Sequence, residues 1–311
     1  MRYIRKQFTW GAFLLAGLLG ASAPNLIAST AGQSGDNPEA EAYRESILDW
    51  RQRRHERLVS DYGWLSLVGL EWLQQGENRV GSAEDNAIRL SGGPGYWGSV
   101  FLEGQQLRFV RADEQSVTLD DTYANELVMV SDIEGSPTVV QSGTIMFYPI
   151  YRQSYALRIK DSLAPTRANF RGIDNFAIEW DWRIKGRFIP GEEGETIEIG
   201  NVLGQLIPSP VFGRFEFERG GNTYSMVAVA DEESESLEFI FADRSNGHDT
   251  YGAGRFVHSE GMPENGRLVV DFNKAYNPPC AFNDYSTCPI PPQENRLNLT
   301  VTSGEKDFHS D

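Results

Sequence analysis

The sequence predicts a mostly β protein: antiparallel β-sandwich or barrel subdomains with one N-terminal α-helix. Three observations carry this. From Trp64 onward, short runs alternate apolar and polar residues, the period of a half-buried strand. Gly, Asn, Asp and Pro punctuate those runs at hairpin-like intervals. Only the stretch before Trp64 has an apolar period near 3.6.

Taken in order, the chain opens with Arg2, Arg5 and Lys6, then an apolar run over 8–23, then small residues. That order is the one a secretory signal peptide shows, and residues 1–31 are expected to be one. The run is shorter than the roughly 20 apolar residues a membrane-spanning helix needs, and no later segment is a candidate span. The expected location is therefore periplasmic or secreted. Residues 32–38 read as a disordered leader.

Residues 39–60 carry the helical period, within a helical segment 39–62. Tyr43, Ile47, Trp50 and Leu58 fall near one face, and this stripe is expected to pack on a sheet. Glu39 and Glu41 stand at its start, while Arg51, Arg53, Arg54, His55 and Arg57 crowd its end. Both placements complement the helix dipole. His55-Glu56 begins a zinc-protease pattern, but Val59 stands where the second His would be, so that reading fails.

Strands are expected near 100–102, 107–110, 117–119, 127–130, 143–150, 155–160 and 178–184. Further ones are expected near 212–217, 224–230, 237–241, 254–258, 268–272 and 297–302. A Glu-Gly-Ser-Pro interruption after Asp132 divides a first β subdomain, 63–135, from a second, 136–306. Residues 231–236 form an acidic solvated turn, and 307–311 a tail.

Composition excludes some partners. The 311-residue chain has a net charge of −16, which becomes −19 once the three cations of residues 1–31 are gone. Such a surface repels phosphate backbones and anionic lipid, so neither nucleic acid nor a membrane surface is an expected partner. Two cysteines alone cannot build a structural zinc site. Neither metal nor cofactor is expected. Gly93-Pro-Gly-Tyr-Trp-Gly98 satisfies a dinucleotide pattern in letters only, because a strand-like run rather than a helix follows it.

Three polar groups are candidates for chemistry. Asn246-Gly247 is a hairpin-turn signal that gathers Asp243, His248, Asp249, Tyr251 and Arg255 at one sheet end. His248 there is a candidate base, and Arg255 a candidate carboxylate clamp; the alternatives are an exposed turn and an internal ion pair. Arg158 and Lys160 share a strand face by period two, with Asp161 beside them. They suit an anionic ligand, or a salt bridge to one of the many acids. The third group is the segment 271–306, with Asp271, Asn273, Tyr276, Glu294 and Asn295. Within it, Pro278-Pro279, Pro289 and Pro291-Pro292 exclude regular helix or central strand. Cys280 and Cys288 enclose seven residues, a spacing that permits a disulfide in an oxidising compartment. The segment 273–295 is thus read as a proline-rich clasp, either closing the sheet end or holding a preorganised site.

Several of these motifs together resemble the bacterial domain-of-unknown-function family numbered 1684. They are Asn277-Pro-Pro-Cys-Ala-Phe, Thr287-Cys-Pro-Ile-Pro-Pro-Gln-Glu-Asn295 and Ser303-Gly-Glu-Lys306, with Thr250-Tyr-Gly-Ala-Gly-Arg-Phe256 and Asp271-Phe-Asn-Lys-Ala-Tyr-Asn277 upstream. Gly63-Trp-Leu-Ser-Leu-Val-Gly-Leu-Glu-Trp-Leu73 and Gly76-Glu-Asn-Arg-Val-Gly-Ser82 extend the resemblance, which spans most of 43–306. It implies a shared architecture and supplies no catalytic residue. The strand rhythm of the first subdomain is similar to that of forkhead-associated sandwiches, in spacing alone.

The expected function is binding of a small molecule or glycan at the end of the C-terminal sheet by an exported cell-envelope protein. One alternative is a hydrolase using paired carboxylates, Asp243 with Asp271 or Glu294. Another is a protein-interaction or structural module without a small-molecule site.

Overall fold

In the computed structural model, residues 37–112, 117–120, 122, 124–229 and 234–308 are described. The expected signal peptide, most of the leader, the first half of the acidic turn and the end of the tail lie outside them. The described chain from Pro38 onward belongs to one compact unit.

Helix α1 runs Pro38–Val59. Pro38 suits the first turn, where its missing N–H costs nothing. Glu39 and Glu41 follow it, and Arg57 stands in the last turn. The chain then turns so tightly that a Cβ on Gly63 would lie 2.5 Å from the Arg57 carbonyl oxygen. Ile47 and Leu58 are buried, while Tyr43 and Trp50 are half-buried. The expectation of a sheet partner is corrected. α1 lies on irregular chain instead, because its partners are groups that a regular ladder would have consumed. Arg51 donates to the Phe176 carbonyl (3.1 Å), Arg54 to the Asn277 carbonyl (2.8 Å), and His55 stacks on Phe170.

The first β unit contains β1 (Leu67–Trp72), β2 (Gly76–Gly81), β3 (Ile88–Arg89), β4 (Gly98–Glu103) and β5 (Gln106–Arg111). It continues with β6 (Thr118–Leu119), β7 (Glu126–Met129), β8 (Val140–Ser142), β9 (Ile145–Tyr151) and β10 (Tyr155–Asp161). They form two five-stranded sheets, β1-β10-β9-β8-β6 and β3-β2-β4-β5-β7. Trp97, Phe109, Phe147, Val80, Val100 and Leu157 fill the space between them. Strands β8, β9 and β10, which lie beyond the boundary expected at 135, belong to the same sheet as β1. The last three strands are needed to pair with β1 and complete the first sheet.

A one-turn helix, α2 (Pro165–Ala168), leads on to the second β unit. Its strands are β11 (Arg183–Pro190), β12 (Thr196–Gly200), β13 (Leu206–Arg219), β14 (Asn222–Val229), β15 (Glu238–Phe241), β16 (Arg255–His258) and β17 (Arg267–Asp271). Their order is β16-β15-β14-β13-β11-β17, with β12 on the first half of β13. The sheet curls until one bridge, Ser259 to Val270, joins its edges. Phe215, Phe217, Phe239, Phe241 and Phe272 stack inside it. The fold is thus mostly antiparallel β with one long N-terminal helix, as the sequence implies.

Residues 272–308 contribute no strand. The strand expected at 297–302 is absent because side chains take its backbone groups. Arg255 donates to the Val301 carbonyl (3.0 Å), and the Val301 N–H donates to Asp243 (3.3 Å). Three short 3-10 turns, Phe272–Lys274, Pro279–Ala281 and Gln293–Asn295, thread this segment across the barrel. Cys280 and Cys288 are bridged.

Candidate ligand site

The C-terminal polar groups do not converge on solvent. Asp243 and Arg255 form an ion pair (2.8 Å) in which both side chains are wholly buried. Asp243 also accepts from the Ser245 N–H (2.7 Å) and hydroxyl (2.6 Å). Arg255 spends its remaining bonds on the Val301, Ser303 and Glu305 carbonyls. Here the pair pins the C-terminal segment to the barrel, so Arg255 is no clamp for a ligand.

Asp271 is sealed in a different network. It accepts from the Tyr43 hydroxyl (3.1 Å) and from the Asn273 backbone and side chain (3.0 Å each). Burial pushes its carboxyl above the usual aspartate range, against the pull of those bonds. Asn273 ties this network to the Glu179 backbone and to the Ser303 hydroxyl. Glu294 lies exposed on the Gln293–Asn295 turn. Two of the three proposed carboxylates are therefore out of reach of a solvent-borne substrate, and the third is elsewhere.

Other candidates also have structural posts. Asn295 is buried between β14 and β15, which pair with each other at one position, Val229 with Glu238. Its amide donates to the Val227 and Ile240 carbonyls (2.9 Å each) and accepts from the Val227 N–H (2.6 Å). Tyr251 donates to the Cys280 carbonyl (3.1 Å), fixing the disulfide loop. His248 is exposed on the Asn246-Gly247 turn, away from the buried Asp243. Tyr276 meets His258 (3.0 Å) on the outer face of the barrel, and the Arg54 guanidinium lies 4.8 Å above its ring. Asp161 accepts from the Leu163 N–H (2.9 Å), closing a turn.

Arg158 is the exception. It projects from the outer face of β10, between the inward-facing Leu157 and Ile159. Lys160, two residues on, shares that face. β1 begins opposite Lys160, so the Trp64–Ser66 turn before β1 lies over both cations. The Trp64 ring centroid is 5.1 Å from the Arg158 guanidinium and 5.5 Å from the Lys160 ammonium; the Tyr148 ring is within 5.9 Å of each. Arg158 is only 5 % exposed, and among the described residues its one hydrogen bond is to the Thr287 hydroxyl (3.3 Å). Its Nε has no hydrogen-bond partner among the described residues. Lys160 donates to the Tyr62 carbonyl (2.5 Å).

Lys160 opens into a cleft of about 680 Å³ between the end of α1 and the first sandwich. Arg53, Arg54, Arg57, Tyr62 and Trp64 line it, with Glu56 as the one acid. Arg54 is committed to Glu305 (3.1 Å). Gly304 delivers that glutamate: its φ is +79°, and a Cβ there would lie 2.4 Å from the Ala275 carbonyl oxygen. Glu56 accepts from Gln52 (2.9 Å). Among the described residues, no carboxylate lies within ion-pair distance of Arg53, Arg57, Arg158 or Lys160. In a chain with 44 acidic residues, Arg53, Arg57 and Lys160 lining one cleft, with Arg158 next to Lys160, are a local excess of positive charge. The sequence pairs Arg158 with Lys160 by strand period, but it reads Arg53 and Arg57 only as dipole partners. Their adjacency to Lys160 depends on how the helix docks.

A further cleft, about 500 Å³, lies along α1, where Asp49 and Glu305 balance Arg51 and Arg54. Among the described residues, no group of three or more His, Cys, Asp or Glu converges as a metal site, and no helix is long and apolar enough to cross a membrane.

Comparisons with known proteins bear on the architecture. Residues 168–306 match the family model described as "Protein of unknown function (DUF1684)", the family the C-terminal motifs resemble. The match takes in the barrel and the clasp. A solution structure of an uncharacterized protein from Haloarcula marismortui is 27 % identical, with 45 % of this chain and 78 % of that one covered and a TM-score of 0.38. A structure titled "Rv0020c_FHA Structure" is 14 % identical over 30 % of this chain and 91 % of that one, with a TM-score of 0.21. No curated protein matches.

Proposed function

We propose that this chain, with the DUF1684 family segment as its C-terminal half, is an exported protein that binds a small anionic molecule in the cleft between α1 and the first sandwich. The observation that carries the reading is the set Arg53, Arg57, Arg158 and Lys160, none of which meets a carboxylate among the described residues. A strongly acidic chain offers each cation many possible partners, and arginines elsewhere in it take them, as Arg152 does with Asp132 (2.7 Å) and Arg183 with Glu260 (2.5 Å). Cations without an ion-pair partner, two of them against the Trp64 and Tyr148 rings, suit a ligand that brings its own negative charge. Export is supported by the N-terminal charge and hydropathy order and by the Cys280–Cys288 bridge.

This reading moves the ligand from the end of the C-terminal sheet to the other side of the clasp. The clasp still serves it, since Thr287 accepts from both Arg158 and Arg152 (3.1 Å for the latter). The hydrolase reading loses its support, because Asp243 and Asp271 are sealed apart. A protein-interaction reading has one observation behind it: Val202, Leu203, Leu206 and Ile207 are exposed together where β12 meets β13.

The test is a thermal-shift titration with inorganic phosphate and citrate at matched ionic strength. Wild type should be stabilised in a saturable way. Arg53→Gln and Arg57→Gln should each weaken binding about tenfold, the loss of one charge-assisted bond. Equal shifts in wild type and both variants would rule the site out.

A further inference from the structure

The cleft also holds a nucleophile. We infer that Lys160 is a carbonyl-capturing amine: it adds to the carbonyl carbon of a small aldehyde or ketone bearing an anionic group and holds it as an imine. The role given to the arginines rests on the anion-binding reading; the role given to Lys160 stands on its own surroundings.

Residue choice is the first argument. The chain has 23 arginines and only five lysines. Where it needs a fixed positive charge it uses arginine, including wholly buried Arg255 and nearly buried Arg158. Arginine keeps its proton at any accessible pH, whereas lysine can shed it. Among the other described lysines, Lys274 pairs with Glu260 (3.5 Å), Lys306 lies over the Phe176 ring, and Lys185 is exposed on the barrel. Lys185 lines a cleft in which Glu260 and Glu264 stand beside Arg183 and Arg267, whereas Lys160 faces one with three arginines and a single acid, Glu56.

The second argument is what touches it. Its ammonium has one carbonyl partner, two aromatic faces and a like charge, Arg158, beside it. Burial first, and Arg158 second, bring its pKa down to about 8. Near neutral pH a useful fraction of the side chain is therefore a free amine, the form that attacks carbonyls.

The step balances without a co-reactant. The nitrogen lone pair forms the C–N bond, and the carbonyl π pair moves to oxygen, which takes a proton. The carbinolamine then loses its hydroxyl as water while nitrogen gives up its second proton and the C=N bond forms. Amine plus carbonyl thus becomes imine plus water, with cleft water carrying the protons. Arg53 and Arg57 hold the substrate's anionic group.

Pyridoxal 5′-phosphate is the probe, because it joins an aldehyde to a phosphate. The full chain is incubated with it near pH 8, reduced with borohydride and mapped by peptide mass. One equivalent should be found on Lys160, with little on Lys185, Lys274 or Lys306. The labelling rate should rise with pH around a midpoint near 8. Lys160→Arg should fold, as its unchanged circular dichroism would show, and remain unlabelled. Label spread evenly over the lysines, or absent from Lys160, would overturn the inference while leaving the phosphate titration to judge the anion site. Conversely, rapid labelling of Lys160 by pyridoxal without its phosphate, unprotected by added phosphate, would keep the amine and remove the anion site.

Discussion

Replacing Asp243 with Asn removes the charge that balances Arg255 in a place where neither side chain reaches solvent. Breaking a buried pair from one side costs about 3–5 kcal/mol, since the remaining charge is left uncompensated. Asp243→Asn should lose stability of that order in urea unfolding, with no change in phosphate response. The double replacement Asp243→Leu with Arg255→Met should recover part of the loss. A ligand-binding role for Arg255 predicts the opposite pattern, weak destabilisation and lost binding. Of the residues that look reactive along the chain, those in the C-terminal segment behave as fasteners. The reason is physical: a segment without a ladder of its own must find partners for its backbone, and buried Asp, Asn and Arg provide them.

At the scale of elements, Asn295 does for β14 and β15 what a further rung of the ladder would do. Its three bonds satisfy the Val227 N–H and the carbonyls of Val227 and Ile240. Asn295→Ala leaves all three buried and unpaired, and should cost about 2–4 kcal/mol. Amide exchange at Val227 should accelerate in that variant before exchange in the first sandwich does, because the opening begins where the ladder is thinnest. Helix α1 works by the same logic. It brings Tyr43, Arg51 and Arg54 to groups that the irregular chain leaves open, and its other side turns Arg53 and Arg57 toward the cleft.

For the whole molecule, stability should depend on pH through groups forced to ionise under cover. Lys160 has a folded pKa of about 8, below the roughly 10.4 of an unfolded lysine. Between those values the unfolded chain binds more protons, so stability rises with pH there; below about 8 the fold bears the full cost of the charge. Lys160→Met should therefore be more stable than wild type at pH 7, by about 1–2 kcal/mol after solvent screening, and the gap should close toward pH 10. Asp271 acts at the acid end with the opposite trend. Its raised folded pKa means stability falls as pH climbs from about 3.9 through that value, then levels off.

By itself the sequence determines what depends on neighbours along the chain: strand period, one polar helix, turn positions, the cysteine pair, and Arg158 and Lys160 on one strand face. Those follow from backbone geometry whatever the fold. The tertiary structure alone decides which charges meet. It seals Asp243 with Arg255, separates Asp271 from Glu294, carries the first sandwich on to Asp161, and sets the arginines of α1 beside Lys160. Tyr43 reaches Asp271 across 228 residues, and no local pattern records such a contact. An ion pair needs its partners within 4 Å, and that distance is set by packing rather than by spacing in the chain.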